Sequence, residues 1–427
     1  MSDQLTLIHY KIPFRSPFRT AKGDFRIREG FILDDGWNFR TEVAPLPGFS
    51  EESLDEVTYF LQKNNQAIWH HFDRSTLEAF LADKSTVTSL FRMPSVRFGL
   101  SMLAEQQMAV DAGLPLYAWW IRRYTPTSAK DDNIISSQRA SGSSYRSIRS
   151  DLSHRTIPPV RSNAVIGLHD PATLLHAIAR HKRAGYTTIK VKLPSEWQQA
   201  FSLITEVCRE YPRLKFRFDA NGAFTESDAH RLLRLLEAEH HASGIAGNID
   251  YLEEPLDRSN MAALARLRQY DIRIAVDESV RTPDDLQNLL DHDAADVLVL
   301  KPMLFGTMSE METVWAAAGD RIAVTVSSSL ESVVGRTLLA HLSAFVNSLW
   351  PTDHGIATGD LFDADLPYDE RAGHPGPTIT LPPDYGIGLR PNFHFSDIRH
   401  TKSADSDSWK SGGIELKAIP LDFSHQK

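Results

Sequence analysis

Thr188-Ile189-Lys190-Val191-Lys192, Lys215-Phe216-Arg217-Phe218-Asp219, Ile249-Asp250-Tyr251-Leu252-Glu253, Ile274-Ala275-Val276-Asp277 and Val297-Leu298-Val299-Leu300-Lys301 are short runs rich in β-branched and aromatic residues, and each ends on a charge. Buried parallel strands are expected to be almost purely apolar, so a charge closing five of them in succession carries information. The terminal residues are 27, 34, 24 and 24 positions apart. Each gap is about the length of one strand plus its crossover helix. Helix-compatible stretches such as Glu226 to Glu237 and Asp284 to Leu290 fill the gaps, Asn163-Ala164-Val165-Ile166-Gly167 precedes the series, and Ile322-Ala323-Val324-Thr325-Val326 follows it. Seven or eight βα units in a row predict an α/β fold with a closed β/α barrel. An open doubly wound sheet fits less well, because no strand is followed by a Gly-rich phosphate-binding turn.

In such a barrel Lys192, Asp219, Glu253, Asp277 and Lys301 stand around one mouth, at the end where active sites of this architecture lie. Three carboxylates and two ammonium groups are costly to bury without partners. A hard divalent cation relieves the carboxylate crowding, and oxygen ligands completed by water and substrate suit Mg2+, with Mn2+ as the alternative. The lysines come from strands on opposite sides of the barrel, so they flank a substrate held between them. That arrangement suits removal of a proton α to a carboxylate, with the cation stabilising the enediolate charge. Lys192 is then the candidate base, Lys301 a second base or stabilising cation, and Lys190 a neighbour that holds the pKa of Lys192 down. Adjacent strand residues face opposite sides, so the choices between Glu253 and Glu254, and between Asp277 and Glu278, stay open at this level. A rim of ion pairs would explain any one of these residues, but it explains five in register poorly.

The rest of the 427 residues is organised around this series. Residues 1–124 begin with alternating apolar and polar side chains around Lys22-Gly23-Asp24 and Asp34-Asp35-Gly36, then show helical spacing in Leu54, Val57, Leu61, Ile68 and Leu77, and again from Val96 to Ala112. They read as an N-terminal α+β capping domain. Residues 125–157 change character: between Thr125 and Thr156 nine of 32 residues are Ser and the local charge is +2. This reads as a flexible Ser/Arg-rich insertion. The barrel is assigned to 158–390, and 391–427 to a C-terminal segment that packs back on the cap and ends in a polar tail. The net charge of −9 excludes a general nucleic-acid or anionic-membrane binder. No apolar run approaches a membrane span of about 20 residues, and Met1 to Leu5 lacks a secretory pattern, so a cytoplasmic protein is expected. The single cysteine, Cys208, lies on a helical apolar face and reads as a buried side chain.

These motifs resemble the enolase superfamily. Lys190-Val191-Lys192, Asp219-Ala220-Asn221, Glu253-Glu254-Pro255, Asp277-Glu278-Ser279 and Lys301-Pro302 are similar to the K-x-K, D-x-N, E-E-P, D-E-S and K-P elements of its muconate-lactonizing subgroup. The resemblance implies a modified TIM barrel and points to Asp219, Glu253 and Asp277 as ligands. The His-Asp dyad of the mandelate racemase subgroup is missing, since Val324-Thr325-Val326-Ser327-Ser328-Ser329 stands in its place.

Within the subgroup the chain is most similar to the o-succinylbenzoate synthases. Thr41-Glu42-Val43-Ala44-Pro45-Leu46-Pro47-Gly48-Phe49-Ser50 resembles their capping loop, Pro94-Ser95-Val96-Arg97-Phe98-Gly99-Leu100-Ser101 the approach to the barrel, and Ser327-Ser328-Ser329-Leu330-Glu331-Ser332 the end of strand seven. Arg217 fits an R-x-D element.

The resemblance implies dehydration of 2-succinyl-6-hydroxy-2,4-cyclohexadiene-1-carboxylate in menaquinone biosynthesis. Ser327, Ser329, Arg217, Asn221, Pro47 and Gly48 are the implied substrate contacts. Arg19, Arg26 and Arg28 belong either to the closing cap loops or to a solvated strand face. N-succinylamino acid racemisation, dipeptide epimerisation and cycloisomerisation are alternatives on the same scaffold, and a binding or scaffold barrel is the alternative without catalysis. The expected partner is a small carboxylate; no nucleic acid or membrane is expected.

Overall fold

In the computed structural model the N-terminal alternation folds as an antiparallel sheet, and the βα texture beyond residue 158 as a curled parallel sheet ringed by helices. The structure describes residues 6–20, 23–34, 39–70, 92–125, 159–167, 170–258, 260–317, 321–368, 376–381, 384, 386–390, 408–411 and 413–419. The Ser-rich insertion lies outside these apart from Thr125, as do the Asp35-Gly36 turn, Leu77 and the polar tail.

Strands β1 (Thr6–Thr20) and β2 (Gly23–Asp34) form a hairpin, and β3 (Arg40–Val43) continues the sheet. Alternation along β1 sends Ile8, Tyr10 and Ile12 to one core, while Leu7, Phe31 and Leu33 face a second. Among the described residues three helices follow: α1 (Leu54–His70), α2 (Pro94–Asp111) and α3 (Leu116–Tyr124). Pro94 opens α2, where a missing N–H costs nothing.

After the short β4 (Val160–Arg161) come seven parallel strands, β5 (Ala164–Ile166), β6 (Thr188–Lys192), β7 (Lys215–Asp219), β8 (Ile249–Glu253), β9 (Ile274–Val276), β10 (Val297–Leu300) and β11 (Ala323–Val326). They pair in strict sequence order. The eighth position of the ring is filled by His354 and Gly355 alone: Gly355 pairs with Ser327 beyond β11, and His354 with Ser162 beyond β4. The result is a modified β/α barrel under an N-terminal cap. At the far end of the chain, β12 (Thr378–Ile379) pairs with β4, and β13 (Ser408–Ser411) and β14 (Ile414–Ala418) form a hairpin whose second strand joins β1 antiparallel.

The main apolar core runs without a break from Ile8, Tyr10 and Ile12 of the cap into the barrel's outer face. Cap and barrel therefore share one core. Inside the barrel a small separate cluster, Tyr251, Ala275, Val297, Val299 and Ala323, fills the lower layer. The charged strand ends sit above it.

Candidate active site

Strand register brings the charges together. Lys192 lies opposite Asp219, and Asp219 opposite Glu253. Glu253 pairs with Ala275, so Asp277, two residues on, projects from the same face. Asp219, Glu253 and Asp277 are all buried. Lys190 reaches Glu253 Oε1 at 2.6 Å and Asp219 Oδ2 at 2.8 Å. Lys192 donates to Asp219 Oδ2 and to Asn221 Oδ1, both at 2.6 Å. Lys301 pairs with Asp277 Oδ2, and Arg281 lies 3.4 Å from its other oxygen. Lys192 and Lys301 thus rest on different carboxylates of one mouth.

The two carboxylates of the Glu253-Glu254 pair part company as period two requires. Glu254, at φ +41°, turns to the end of β9, where it accepts from Asp277 N at 2.7 Å and from the Ser279 hydroxyl. Glu253 points inward to Lys190. Glu278 stays near the mouth, accepting from Asn221 Nδ2 at 3.3 Å, so the fold separates the second pair less completely.

Burial and charge crowding together shift the groups of the mouth. Burial, then repulsion from Asp219, pushes the Glu253 carboxyl up to about 8 despite Lys190. Burial opposes charge on Asp219 too, but Lys190 and Lys192 outweigh it and hold that carboxyl below the usual range. Burial likewise works against the Lys190 ammonium, and Asp219 with Glu253 overcomes it and raises the group well above an ordinary lysine. Glu253 Oε2 and Glu278 Oε2 are buried without a hydrogen-bond partner.

Among the described residues no three His, Cys, Asp or Glu side chains form a ready-made cation cage. The carboxylates are drawn onto the lysines instead. The donor set nevertheless fits a hard divalent cation: Asp219, Glu253 and Asp277 offer carboxylate oxygens only, and Glu253 Oε2 is buried without a partner.

The other expected contacts divide between the mouth, the barrel interior and the cap. Arg217, two residues before Asp219, is 1% exposed, bonded to Asp250 Oδ2 (2.8 Å), Asn163 Oδ1 (2.8 Å) and Thr352 Oγ1 (3.1 Å) and stacked on Tyr251. These contacts tie it to the barrel interior. Asn221, at φ +48°, accepts from Lys192 and stands at the mouth. Ser327 closes the ring beside Gly355, whereas the buried Ser329 hydroxyl has no partner. Pro47 and Gly48 form the exposed tip of a turn closed by Leu46 N to Ser50 Oγ at 2.8 Å. They line a cap cavity of about 410 Å³ with Phe14, Phe25, Ile27 and Arg28, whose walls contain none of the charged mouth residues.

Arg26 is exposed, and the side chain of Arg19 lies outside the described set. Arg28 is buried: it donates to Leu330 O (2.9 Å), Pro45 O (2.7 Å) and Ala44 O (2.5 Å), tying the capping loop to the turn after β11. Arg281 and Glu331 were not singled out from the sequence. Arg281 follows Asp277 by one helical-type step, its only sequence signal. Glu331 Oε2 accepts from the Ser328 hydroxyl (2.5 Å) and Ser329 N (2.7 Å) and organises the serine turn.

Residues 173–394 match the family described as enolase C-terminal domain-like, and residues 2–107 match the MenC N-terminal domain. The chain is 27% identical over 395 residues to o-succinylbenzoate synthase of Geobacillus stearothermophilus, covering 90% of this chain and 92% of that one. In fold it is similar to a dipeptide epimerase from Enterococcus faecalis complexed with Mg and L-Leu-L-Tyr, with a TM-score of 0.71 and 19% identity over 91% of this chain and 99% of the other. It is also similar to an N-succinyl Arg/Lys racemase from Bacillus cereus, with a TM-score of 0.67 and 18% identity over 91% and 96% of the two chains. No helix among the described residues is long and apolar enough to cross a membrane. With more than half its length inside the first match, a capped barrel and acid and lysine residues at its mouth, the chain belongs to the enolase superfamily, in its C-terminal domain-like family.

Proposed function

We propose that this chain is an o-succinylbenzoate synthase, a hydro-lyase of menaquinone biosynthesis acting in the cytoplasm on 2-succinyl-6-hydroxy-2,4-cyclohexadiene-1-carboxylate. The observation that carries the reading is the pair Lys192 and Lys301, each on a different carboxylate of one buried mouth. Similarity to a synthase across nine-tenths of the chain supports it. Asp219, Glu253 and Asp277 would hold Mg2+ or Mn2+, which when bound supplies Lewis-acid stabilisation of charge on the substrate carboxylate.

The chain's own residues do the rest. Lys192 Nζ, as the neutral amine, takes the proton α to the carboxylate, the C–H electron pair is held in the carboxylate as an enediolate, and that pair returns to the ring as the C–O bond to the 6-hydroxyl breaks. The same ammonium returns that proton to the departing hydroxyl, so water leaves from the face of attack and the ring becomes aromatic. Asn221 Oδ1 aims Lys192. Lys301 opposes the negative charge from the other side, and the Ser327 and Ser329 hydroxyls would donate to the succinyl carboxylate.

Racemisation of N-succinylamino acids or epimerisation of dipeptides is the second reading. It is favoured by the same opposed lysines, which suit proton exchange on two faces. The deciding experiment is a Mg2+-dependent assay of the purified chain on the cyclohexadiene carboxylate, followed by loss of its absorbance, with EDTA as control and N-succinylamino acids in parallel. Dehydration abolished by EDTA supports the synthase. Proton exchange on N-succinylamino acids without dehydration overturns it.

A further inference from the structure

We propose that Arg97, on the cap helix α2 and outside the barrel mouth, is a positioning residue for Lys301; the proposal rests on the role given to Lys301 above. Lys301 opens a one-turn helix, Pro302–Phe305, closed by Leu304 N to Lys301 O at 2.9 Å and Gly306 N to Pro302 O at 3.1 Å. The far end of that turn is held from the cap. Arg97 donates to Phe305 O at 3.3 Å and to Glu310 Oε1 at 2.5 Å, and Glu310 Oε2 in turn accepts from Thr307 N at 2.8 Å. A second tie lies one helical turn along, where Ser101 Oγ accepts from Met308 N at 3.1 Å.

The junction leaves no slack. Gly306 has φ +131°, and a Cβ built there would lie 2.3 Å from Glu310 Oε2 and 2.9 Å from an Arg97 nitrogen. A rigid turn of four residues with Lys301 at one end and a guanidinium clamp at the other passes any shift of the clamp to the lysine. Arginine suits the position because its planar fork serves a carbonyl and a carboxylate at once, which an ammonium does only in part. The cap is thereby tied to the loop that begins at Lys301.

The test compares Arg97→Gln and Arg97→Lys with wild type in the Mg2+-dependent dehydration assay. The expected result is a kcat about tenfold to a hundredfold lower for Arg97→Gln with KM nearly unchanged, and partial recovery in Arg97→Lys. A residue acting through Lys301 adds nothing once Lys301 is gone, so Arg97→Gln combined with Lys301→Gln is no slower than Lys301→Gln alone. Unchanged kcat, or losses that multiply in the double variant, overturns the proposal. Should Arg97→Gln not fold, Glu310→Gln weakens the same clamp and is read by the same criteria. Wild-type inactivity on the cyclohexadiene carboxylate counts against the synthase reading alone. A crystal structure of the variant then decides: residues 301–306 displaced from their wild-type position support the clamp, and residues in place refute it.

Discussion

Lys190 and Glu253 form a buried ion pair across the barrel mouth, Nζ to Oε1 at 2.6 Å, and the same ammonium also holds Asp219. Asp219 is the partner whose charge depends on Lys190, and removing one member of a buried pair typically costs about 3–5 kcal/mol because the other charge stays buried. Lys190→Ala is expected to unfold at clearly lower urea concentration than wild type in EDTA. Saturating Mg2+ should narrow that gap, since a dication can replace the missing positive charge and stabilises by mass action. A gap that Mg2+ leaves unaltered would remove the basis for placing a cation at Asp219 and Glu253.

Lys192 and Lys301 are expected to differ in what they do. General acid–base groups contribute roughly 10²- to 10⁴-fold. Lys192→Ala should lose turnover by about that factor or more, with its melting temperature close to wild type. Lys301→Ala should be slower than wild type yet faster than Lys192→Ala in single-turnover dehydration. The opposite order would exchange their roles, and near-normal activity in Lys192→Ala would end its assignment as base.

Glu42 joins the cap to the helix at Val333–Leu349. Its carboxylate accepts from Tyr10 Oη (2.5 Å), Ser332 N (3.0 Å), Ser332 Oγ (2.5 Å) and Gly335 N (2.9 Å). It thus caps a helix 290 residues away in sequence. A cap is worth about 1 kcal/mol and a charge-assisted bond about 1.5–3 kcal/mol. Glu42→Ala should therefore destabilise by about 2–4 kcal/mol, with faster amide exchange confined first to Ser332 to Arg336. Unaltered protection there would show that the latch is not under load.

His341 and His354 predict an acid-labile fold. His341 Nδ1 accepts from Tyr117 N and Nε2 faces Ile387 O, both at 3.3 Å; His354 Nδ1 accepts from Val326 N at 3.1 Å and Nε2 faces Asn347 Oδ1 at 3.2 Å. Each ring is satisfied as the neutral form. Burial lowers His341 to about 4, and burial with the nearby Arg217 lowers His354 to about 3. Both lie below the unfolded value of 6.5, so the unfolded chain binds more protons between those limits. Their contribution is complete above pH about 6.5 and declines as pH falls toward the folded values, by about 2 kcal/mol per histidine at pH 5. Denaturant unfolding of wild type and His341→Gln at pH 7 and pH 5 measures this. The variant should lose about 2 kcal/mol less over that interval; equal losses would refute it.

The five charged strand ends were readable because two rules act on them locally. A parallel strand buries both faces, so a charge there stands out, and βα units recur at nearly constant length. The barrel and its mouth follow from that pattern. What the pattern lacks is depth and facing. Arg217 and Asp219 share a strand face, yet two residues is about 6.6 Å along the barrel axis, enough to move the guanidinium from the mouth to the packed interior on Tyr251. Glu253 and Glu254 are chemically identical, and only the backbone turn at Glu254 sends one to Lys190 and the other to the end of β9.

The sequence by itself determined the architecture and the set of chemical groups at its mouth: periodicity and residue type are local properties, and each strand carries its own. The tertiary structure alone decided which carboxylate meets which lysine, that Arg28, Glu42 and Arg97 bind the cap to the turns after β10 and β11, and that two residues suffice to close the ring. Arg28 meets Leu330 across 302 positions and Arg97 meets Glu310 across 213. Hydrogen bonds over such separations depend on how the whole chain packs, and no local pattern in either partner announces the other.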